Sequence, residues 1–345
     1  MLKTTQELLD KKKLIEVLNQ EKLTEVLNEE SKDSTKIAPV VFCIFKRPDT
    51  TEKVFEAIRL AKPPKLLVIA DGPRSERPAE AQNCADTRAI INRIDWDCEV
   101  LTNYSDVNLG CSTRMPSGLD WVFSQVEEAI ILEDDCLPHP SFFRFCTELL
   151  DYYRDDTRIM TISGDNSPSG YQPTKDSYYF SYYPRIWGWA TWRRAWAKYD
   201  VQTHHWPEVR DSDRLKDILV DKQAVKVWEK IFQSSYDGCY QAWDYQWTFA
   251  SFMQSGLTII PNVNLVSNIG FSHEGTNTID SHNPRANVPV QAMEFPLQHP
   301  QIVIRDRRGD AFTQKHVFNT PSLWTRAKNK VKRILRNSDV SGGLT

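Results

Sequence analysis

The sequence lacks the features that identify several common classes of protein. It has seven cysteines in 345 residues and no Cys-x-x-Cys pair, so it indicates neither a disulfide framework nor a cysteine zinc site. No apolar run approaches the roughly 18 residues that a membrane-spanning helix needs. The opening MLKTTQELLDKKK is charged throughout and lacks the apolar centre of a signal peptide. These absences predict a cytoplasmic protein with reduced thiols.

Two functional classes are disfavoured by further absences. The formal net charge is −3, which gives no overall reason to bind nucleic acid. No Gly-x-Gly-x-x-Gly follows an apolar strand pattern, which argues against a dehydrogenase. With 40% hydrophobic and 26% charged residues, the chain instead has the composition of a globular protein that buries a sizeable core.

The pattern of residues divides the chain into three parts. Residues 1–35 are rich in lysine and glutamate with apolar residues at helical spacing, which predicts a helical appendage. Residues 36–320 form the main domain, and its second half, from 166 onward, is aromatic and rich in loops. Residues 321–345 read as a basic amphipathic tail, which suits peripheral contact with an anionic membrane surface but equally a solvated terminus.

Short apolar runs alternate with segments of helical periodicity between residues 37 and 165. They predict strands at 37–45, 65–73, 98–104 and 129–135, with helices between them and a further helix at 138–153. Strands separated by helices in this way form βαβ units, so we expect an α/β fold with a mostly parallel sheet covered on both faces.

The stretch AIILEDDCLPHP, residues 129–140, carries the strongest chemical signal. A buried strand runs into three consecutive carboxylates, Glu133, Asp134 and Asp135. Ligands bind at the carboxyl ends of strands in open α/β sheets, and carboxylate oxygens suit Mg²⁺ or Mn²⁺. The alternative is an acidic cap on the following helix, but a cap needs one acid rather than three. The pattern therefore favours a metal site.

This turn also resembles one in a known family. A strand that ends in Glu-Asp-Asp, followed by Pro140, Phe142 and Phe143, is similar to the DXD-like metal-binding turn of nucleotide-sugar glycosyltransferases of the GT-A fold, in particular N-acetylglucosaminyltransferase I and its bacterial relatives. Other similar segments follow in the same order over about residues 38–280: CIFKRPDTTEKVFEAI, VIADGP, MTISGDN, RIWGWATWRRAW, AWDYQW and IGFSHEG.

The resemblance implies a fold and an activity. The fold is GT-A, a Rossmann-like sheet, with residues 36–165 as the nucleotide-sugar half and residues 166–320 as the acceptor half. The activity is inverting, metal-dependent transfer of a hexose or N-acetylhexosamine from a nucleoside diphosphate sugar, with UDP expected, to a glycan or lipid-linked acceptor. Asp135 is then the direct ligand of Mn²⁺ or Mg²⁺, while Asp134 and Glu133 contact the donor or the metal's water.

The resemblance implies further donor-binding residues, and for most of them a purely structural role is the alternative. Arg47 follows the first strand and pairs with the nucleotide or its phosphates. Asp71 reads the base, or serves only the geometry of its turn. Arg114 lies in a glycine-bearing loop that suits phosphate binding, or is an ordinary surface arginine. Ser272 and His273 contact the diphosphate or the metal, although a lone histidine is as often structural.

Asp244 in AWDYQW is the predicted general base, because tryptophan and tyrosine neighbours would desolvate it and raise its basicity. The alternative is an aspartate bound at a helix start. Relatives carry a second acid at the next position, where this chain has Tyr245, so the acceptor contacts are in doubt.

The aromatic loop supplies the predicted acceptor contacts, since aromatic faces stack on sugar rings. These are Trp187, Gly188, Trp189 and Trp243, whereas Trp192 and Trp196 are expected to be core residues.

Two rival functions remain open. A sugar-1-phosphate nucleotidyltransferase would carry a glycine-rich loop after the first strand, and KRPDTT has no glycine. A non-catalytic carbohydrate-binding protein would use the aromatic loop without a metal or a nucleotide.

Overall fold

One sheet receives strands from both halves of the main domain. The computed structural model describes residues 36–167, 171–219, 221–239, 242–271 and 283–318. The appendage predicted at 1–35 and the tail predicted at 321–345 lie outside these residues.

The regular elements alternate between strands and helices in the first half of the chain. The strands are β1 (Val40–Ile44), β2 (Lys65–Ala70), β3 (Glu99–Tyr104), β4 (Glu128–Glu133), β5 (Cys136–Pro138), β6 (Ile159–Ser163), β7 (Tyr178–Ser181), β8 (Trp189–Trp192), β9 (Leu257–Pro261) and β10 (Val266–Asn268). The helices are α1 (Pro48–Ala61), α2 (Glu80–Ala89), α3 (Cys111–Gln125), α4 (Ser141–Tyr152), α5 (Arg193–Trp196), α6 (Trp206–Asp211), α7 (Leu215–Ile218), α8 (Lys222–Tyr236), α9 (Asp244–Met253) and α10 (Arg307–Thr313). A 3₁₀ turn, Ile90–Arg93, follows α2, and a π turn, Gln314–Phe318, follows α10.

Within the described residues, the main sheet has eight strands in the order β3-β2-β1-β4-β8-β6-β9-β7. Strands β1 to β4 are parallel to one another. Strand β8 is antiparallel to both of its neighbours, β4 and β6. Strand β9 is parallel to β6, and β7 at the edge is antiparallel to β9. All but β7 and β8 therefore point the same way, which confirms the predicted mostly parallel α/β sheet.

Alternating side chains of the strands pack against helices on opposite faces of the sheet. Phe42 and Leu132 share one buried cluster with Phe55 of α1 and with apolar residues of α4. Val41 and Ile131 share a second cluster with residues of α3 and α9. Because both faces are covered there, β1, β2 and β4 are continuous apolar runs, whereas β3 at the edge of the sheet is largely exposed. Helices on both faces of the sheet were predicted from these apolar runs.

The chain after the acidic turn differs from the sequence-based expectation. A helix was predicted at 138–153, but α4 begins only at Ser141. Residues Cys136–Pro138 instead form β5, which pairs antiparallel with β10. The backbone N–H of His139 also donates to the carbonyl of Leu265 at 2.8 Å. A partner more than a hundred residues away in the chain therefore competes with the local helical preference.

The aromatic second half forms a third cluster beside the sheet. Trp206, Trp228 and Phe232 are buried there and contact residues of α9. Trp192 and Trp196 are also buried, as expected for core residues. None of the helices in the described segments combines the length and apolar character needed to cross a bilayer.

Candidate active site

Three neighbouring strands, β2, β1 and β4, end on the same side of the sheet, and Arg47, Asp71 and Glu133–Asp135 lie at or just after these ends. The register pairs Ile44 with Ala70 and Cys43 with Glu133. Asp71 and Asp134 therefore follow the ends of β2 and β4, the two strands that flank β1. Parallel strands bring such residues together, because their carboxyl ends point the same way.

Arg47 neutralises part of the acidic turn. Its Nη2 atom donates to Asp134 Oδ1 and, at 2.8 Å, to Asp135 Oδ2. The backbone N–H of Phe45 donates to the other oxygen of Asp134 at 3.2 Å. Arg47 directly precedes Pro48, the first residue of α1, so the start of the helix holds the guanidinium in place. The positive charge beside the carboxylates is thus a side chain of the protein.

The carboxylates of the acidic turn still repel one another, although the Arg47 guanidinium lies beside them. Burial raises the pKa of Glu133, and the charges of Asp135 and Asp134 raise it further. Burial also raises the pKa of Asp134, although Arg47 opposes that shift. Such shifts follow because a desolvated carboxylate beside like charges favours its neutral form. A further cation at this turn would relieve the repulsion.

The residue types at the turn fit a hard divalent cation. Three carboxylates on consecutive positions offer oxygen ligands of the kind that Mg²⁺ and Mn²⁺ take. In the arrangement seen here Arg47 holds two of them, and no group of three or more acidic, histidine or cysteine side chains in the described segments is arranged to hold a metal. The carboxylates of the turn are therefore suitable ligands for the ion when the Arg47 guanidinium no longer bonds to them.

Asp71 and Arg114 are both occupied by intramolecular bonds. The Asp71 carboxylate accepts from the backbone N–H groups of Leu109 and Gly110, at 2.9 and 3.0 Å, in the loop before α3. Arg114 is buried, and its Nη2 atom donates to the side-chain oxygen of Asn103 at 2.7 Å. These contacts fix the loops around the strand ends. The roles of both residues toward a nucleotide stay predictions.

Asp244 is the first residue of α9 and directly follows Trp243, whose ring stacks on Trp189 of β8. Burial raises the pKa of its carboxyl, while the N–H groups of Asp244 and Tyr245 and the charge of Arg285 oppose the shift. The negative charge of Asp244 in turn contributes to the raised pKa of Glu133, so the two carboxylates lie within electrostatic range. Asp244 thus lies at a helix start, and its role as a base stays a prediction.

The predicted acceptor residues separate into two groups. Strand β8 begins where β4 ends, because the two strands are antiparallel and Trp189 pairs with Ile131. This places Trp187 and Gly188 beside the acidic end of β4, with the Trp187 ring only partly buried. Gly188 has a φ of +63°, and a Cβ there would lie 2.6 Å from a methyl group of Val266.

Trp189 and Trp243 occupy the core instead. Both are buried, and their rings stack at a centroid distance of 5.7 Å. Trp189 also packs against Trp247. In this arrangement neither ring has a face open to a sugar, so the predicted stacking of an acceptor on Trp189 and Trp243 does not fit the structure. The acceptor roles of Trp187 and Gly188 stay predictions.

Arg285 lies in the same region but is not among the site residues predicted from the sequence. Its guanidinium lies 3.9 Å from the centroid of the Trp187 ring and donates to Asp165 Oδ2 at 3.3 Å. Asp165 lies in MTISGDN, a segment that is similar to the same glycosyltransferase family but carries no predicted role. Ser272 and His273 lie outside the described residues.

Comparisons with known proteins give no family. No family model and no curated protein matches the chain. Among solved structures, it is similar to 4-diphosphocytidyl-2C-methyl-D-erythritolsynthase from Anaerococcus prevotii, with a TM-score of 0.30 and 10% identity over 47% of this chain and 74% of that one. It is also similar to residues 1–349 of S. aureus TarS, with a TM-score of 0.30 and 10% identity over 51% of this chain and 49% of that one. Similarity at this level assigns no activity.

Proposed function

We propose that the chain is an inverting, metal-dependent glycosyltransferase that moves a hexose or N-acetylhexosamine from a nucleoside diphosphate sugar, UDP being expected, to a glycan or lipid-linked hydroxyl. The observation that carries the proposal is the convergence of two acidic sites. The turn at Glu133–Asp135 lies at the carboxyl end of β4, and Asp244 directly follows Trp243, which stacks on Trp189 of the neighbouring strand β8. The turn offers oxygen ligands for a cation, and Asp244 offers a carboxylate that can accept a proton.

Asp135, supported by Asp134 and Glu133, would hold Mn²⁺ or Mg²⁺. The ion supplies Lewis-acid neutralisation of the leaving diphosphate. Arg47, which otherwise balances these carboxylates, is then available to pair with the donor's phosphates. Ser272 and His273 are proposed to contact the same diphosphate.

Asp244 would accept the proton of the acceptor hydroxyl. A general base works best when its pKa is close to the operating pH, and burial moves the pKa of Asp244 in that direction. Trp187 and Gly188 would position the acceptor beside it. Asp71 and Arg114 would shape the nucleotide pocket through the loops that they fix.

A thermal-shift screen of nucleotide sugars with and without Mn²⁺ tests the proposal. Ligands that bind only the folded protein raise its unfolding midpoint according to their occupancy. We expect a rise with a nucleotide sugar that depends on Mn²⁺, followed by release of the nucleoside diphosphate when an acceptor is added. A response to nucleoside triphosphates with release of pyrophosphate, or sugar binding that needs neither metal nor nucleotide, would contradict it.

A membrane-bound acceptor would suit the basic tail proposed at 321–345. Flotation of the full chain with anionic vesicles, compared with a chain that ends near residue 320, tests this part separately. Equal flotation of the two chains would exclude membrane contact through the tail.

A further inference from the structure

A cluster of two arginines and one aspartate lies at the carboxyl end of β6. Asp165 lies two residues after that strand and forms ion pairs with the guanidinium groups of Arg185 and Arg285. The backbone N–H of Gly164 donates to the carbonyl of Gly188 at 2.7 Å, which holds this end of β6 against the start of β8. Since β4 and β6 both run antiparallel to β8, the cluster lies on the same side of the sheet as the acidic turn.

One carboxylate serves both cations incompletely. Asp165 Oδ1 accepts from the hydroxyl of Ser167 and, at 2.8 Å, from its backbone N–H. Its Oδ2 atom is left for the arginines, and it lies 3.3 Å from Arg285 Nη2 and 3.9 Å from Arg185 Nε. In the described residues, no other carboxylate forms an ion pair with either guanidinium. One positive charge therefore has no carboxylate of its own in direct contact.

Both cations are enclosed and keep unused donors. The Arg185 side chain is 5% exposed and the Arg285 side chain 22%. The Nε atom of each is buried, and neither has a hydrogen-bond partner in the part of the chain that the structure describes. Burial lowers the pKa of Arg285, the charge of Asp165 opposes this, the charge of Arg185 lowers the pKa further, and the charge of Asp244 opposes it again. Because buried cations are stabilised by anions that accept their N–H groups, the cluster can take one more anion.

Arg285 is the end of the cluster that a ligand reaches first, because it is the more exposed of the two arginines. Its guanidinium lies 3.9 Å from the centroid of the Trp187 ring and covers one face of that ring. A sugar cannot stack on this face while the guanidinium lies there. A ligand held beside Trp187 therefore meets a cation.

The order of the strands separates this cluster from the proposed nucleotide half. The order is β2-β1-β4-β8-β6, with Asp71 after β2 and the acidic turn after β4. Asp165, after β6, lies two strands beyond the turn, which is about 10 Å at the usual spacing of strands. The cluster therefore lies on the side of the turn away from β1 and β2, where the acceptor is proposed to bind.

We propose that Arg285, backed by Arg185, binds an oxyanion of the acceptor, so that the acceptor carries a phosphate or a carboxylate. Arg285 would contact the oxyanion, because a guanidinium matches two oxygens of such a group. Arg185, held by the carbonyls of Asp165 and Ser167, would supply the uncompensated charge behind it. The assignment to an acceptor rests on the proposed function, whereas the oxyanion site does not.

Inorganic phosphate probes the site without any need for activity. It is added to the full chain at constant ionic strength, without metal or nucleotide, and the unfolding midpoint is followed. Bound phosphate raises the midpoint according to its occupancy, while exclusion of phosphate from the protein surface raises it in every variant. We expect Arg285→Gln to weaken the apparent phosphate affinity about tenfold, because a charge-assisted hydrogen bond is lost. Arg285→Lys should recover part of the affinity.

Arg158→Gln is the matched control, because Arg158 is exposed and pairs with Asp156 instead of with this cluster. Its phosphate-dependent rise should equal that of the natural chain. Trp187→Leu should weaken phosphate binding although it removes no charge, because the guanidinium loses the ring that supports it. This variant carries the test if Arg285→Gln does not fold. Equal phosphate-dependent rises in the natural chain and in the folded variants of Arg285 and Trp187 would overturn the site.

The assignment to the acceptor is tested by two further measurements. Arg285→Gln should bind UDP with Mn²⁺ as tightly as the natural chain does, and a loss equal to the loss for phosphate would assign the oxyanion to the donor instead. Matched neutral, phosphorylated and carboxylated sugars are then offered as acceptors. The natural chain should prefer an anionic sugar in kcat/KM, and Arg285→Gln should lose about tenfold of that preference. A preference for the neutral sugar would contradict the assignment. If no donor supports transfer, the proposed function fails, and the phosphate measurements still decide the site.

Discussion

Arg47 and Asp135 lie 88 positions apart in the chain, yet a hydrogen bond of 2.8 Å joins the guanidinium of one to the carboxylate of the other. The same nitrogen bonds to Asp134. A cation bound at these carboxylates must compete with this arginine. The affinity of the turn for a metal therefore depends on how readily Arg47 withdraws.

Arg47→Gln should strengthen the binding of Mn²⁺ in the absence of nucleotide. Removal of the guanidinium leaves repelling carboxylates that a divalent ion can bridge without competition. We expect affinity about tenfold higher, which corresponds to about 1.4 kcal/mol. Titration calorimetry of Mn²⁺ measures it. The unfolding midpoint should fall without metal and recover with it, because a buried ion pair has lost one partner.

Arg154→Gln provides the control for this prediction, because Arg154 pairs with Glu128 at the opposite end of β4. Its Mn²⁺ affinity should equal that of the natural chain. Unchanged or weaker Mn²⁺ binding by Arg47→Gln would mean that Arg47 does not compete with the ion.

Gly270→Ala should weaken Mn²⁺ binding by displacing Asp135. A Cβ at position 270 would lie 2.7 Å from the Cβ of Asp135, and that atom cannot swing away as the end of a long side chain can. Gly256→Ala is the control, because the nearest atom there is the flexible Met160 sulfur. Calorimetry should show weaker Mn²⁺ binding only in Gly270→Ala, and equal affinities would mean that Asp135 holds no metal.

Asp244→Asn should slow sugar transfer while it leaves the donor bound. A general base contributes about 10²- to 10⁴-fold to a rate, so a loss of that size is expected in kcat. Product formation is measured alongside the midpoint shift caused by the nucleotide sugar and Mn²⁺. Near-full activity with intact donor binding would show that another group removes the proton.

The stability of the same variant should depend on pH. The pKa of Asp244 is raised in the folded protein, so the folded state binds more protons than the unfolded state as the pH rises above about 4. The natural chain should therefore lose stability relative to Asp244→Asn as the pH rises through the folded pKa. Denaturant unfolding at several pH values measures this difference, and a difference that shrinks with rising pH would contradict it.

Trp187→Ala and Trp189→Ala should have different effects. Trp187 is partly exposed at the site, so its loss should raise the KM for the acceptor and leave donor binding intact. Trp189 is fully buried against Trp243 and Trp247, so its loss should cost about 3–5 kcal/mol of unfolding free energy. Steady-state kinetics and denaturant unfolding separate the two. A destabilised Trp187→Ala with an unchanged acceptor KM would assign Trp187 to packing.

The sheet of the first half was predictable because parallel strands covered on both faces are short continuous apolar runs. Strands β1, β2 and β4 and the position of the acids after β4 follow from that pattern, whereas β3 is largely exposed at the edge of the sheet. The start of α4 did not follow, because β5 owes its conformation to β10, whose residues lie far along the chain. Hydrophobic periodicity indicates whether a segment locally favours a helix or a strand. It contains no information about pairing with a distant segment.

The candidate site was predictable to a similar extent. Asp135, after the end of β4, and Asp244, at the start of α9, were identified from their local sequence, and their roles stay predictions. The burial of Trp189 was not foreseen, because an aromatic loop has the same composition whether its rings face a ligand or the core. Arg285 was missed because it lies in a loop without a motif, and its contacts with Trp187 and Asp165 arise only from the fold.

The short pairing of β5 with β10 ties the acidic turn to a second segment of chain. Ile269 donates its N–H to the carbonyl of Asp135 at 2.8 Å, and Gly270 packs directly on the Asp135 side chain. Phe271, the next residue, meets the Trp187 ring edge-on. The proposed metal ligand Asp135 and the proposed acceptor residue Trp187 are thus linked through three consecutive residues. An engineer who wishes to change the sugar acceptor by altering Phe271 must expect the metal affinity to change with it.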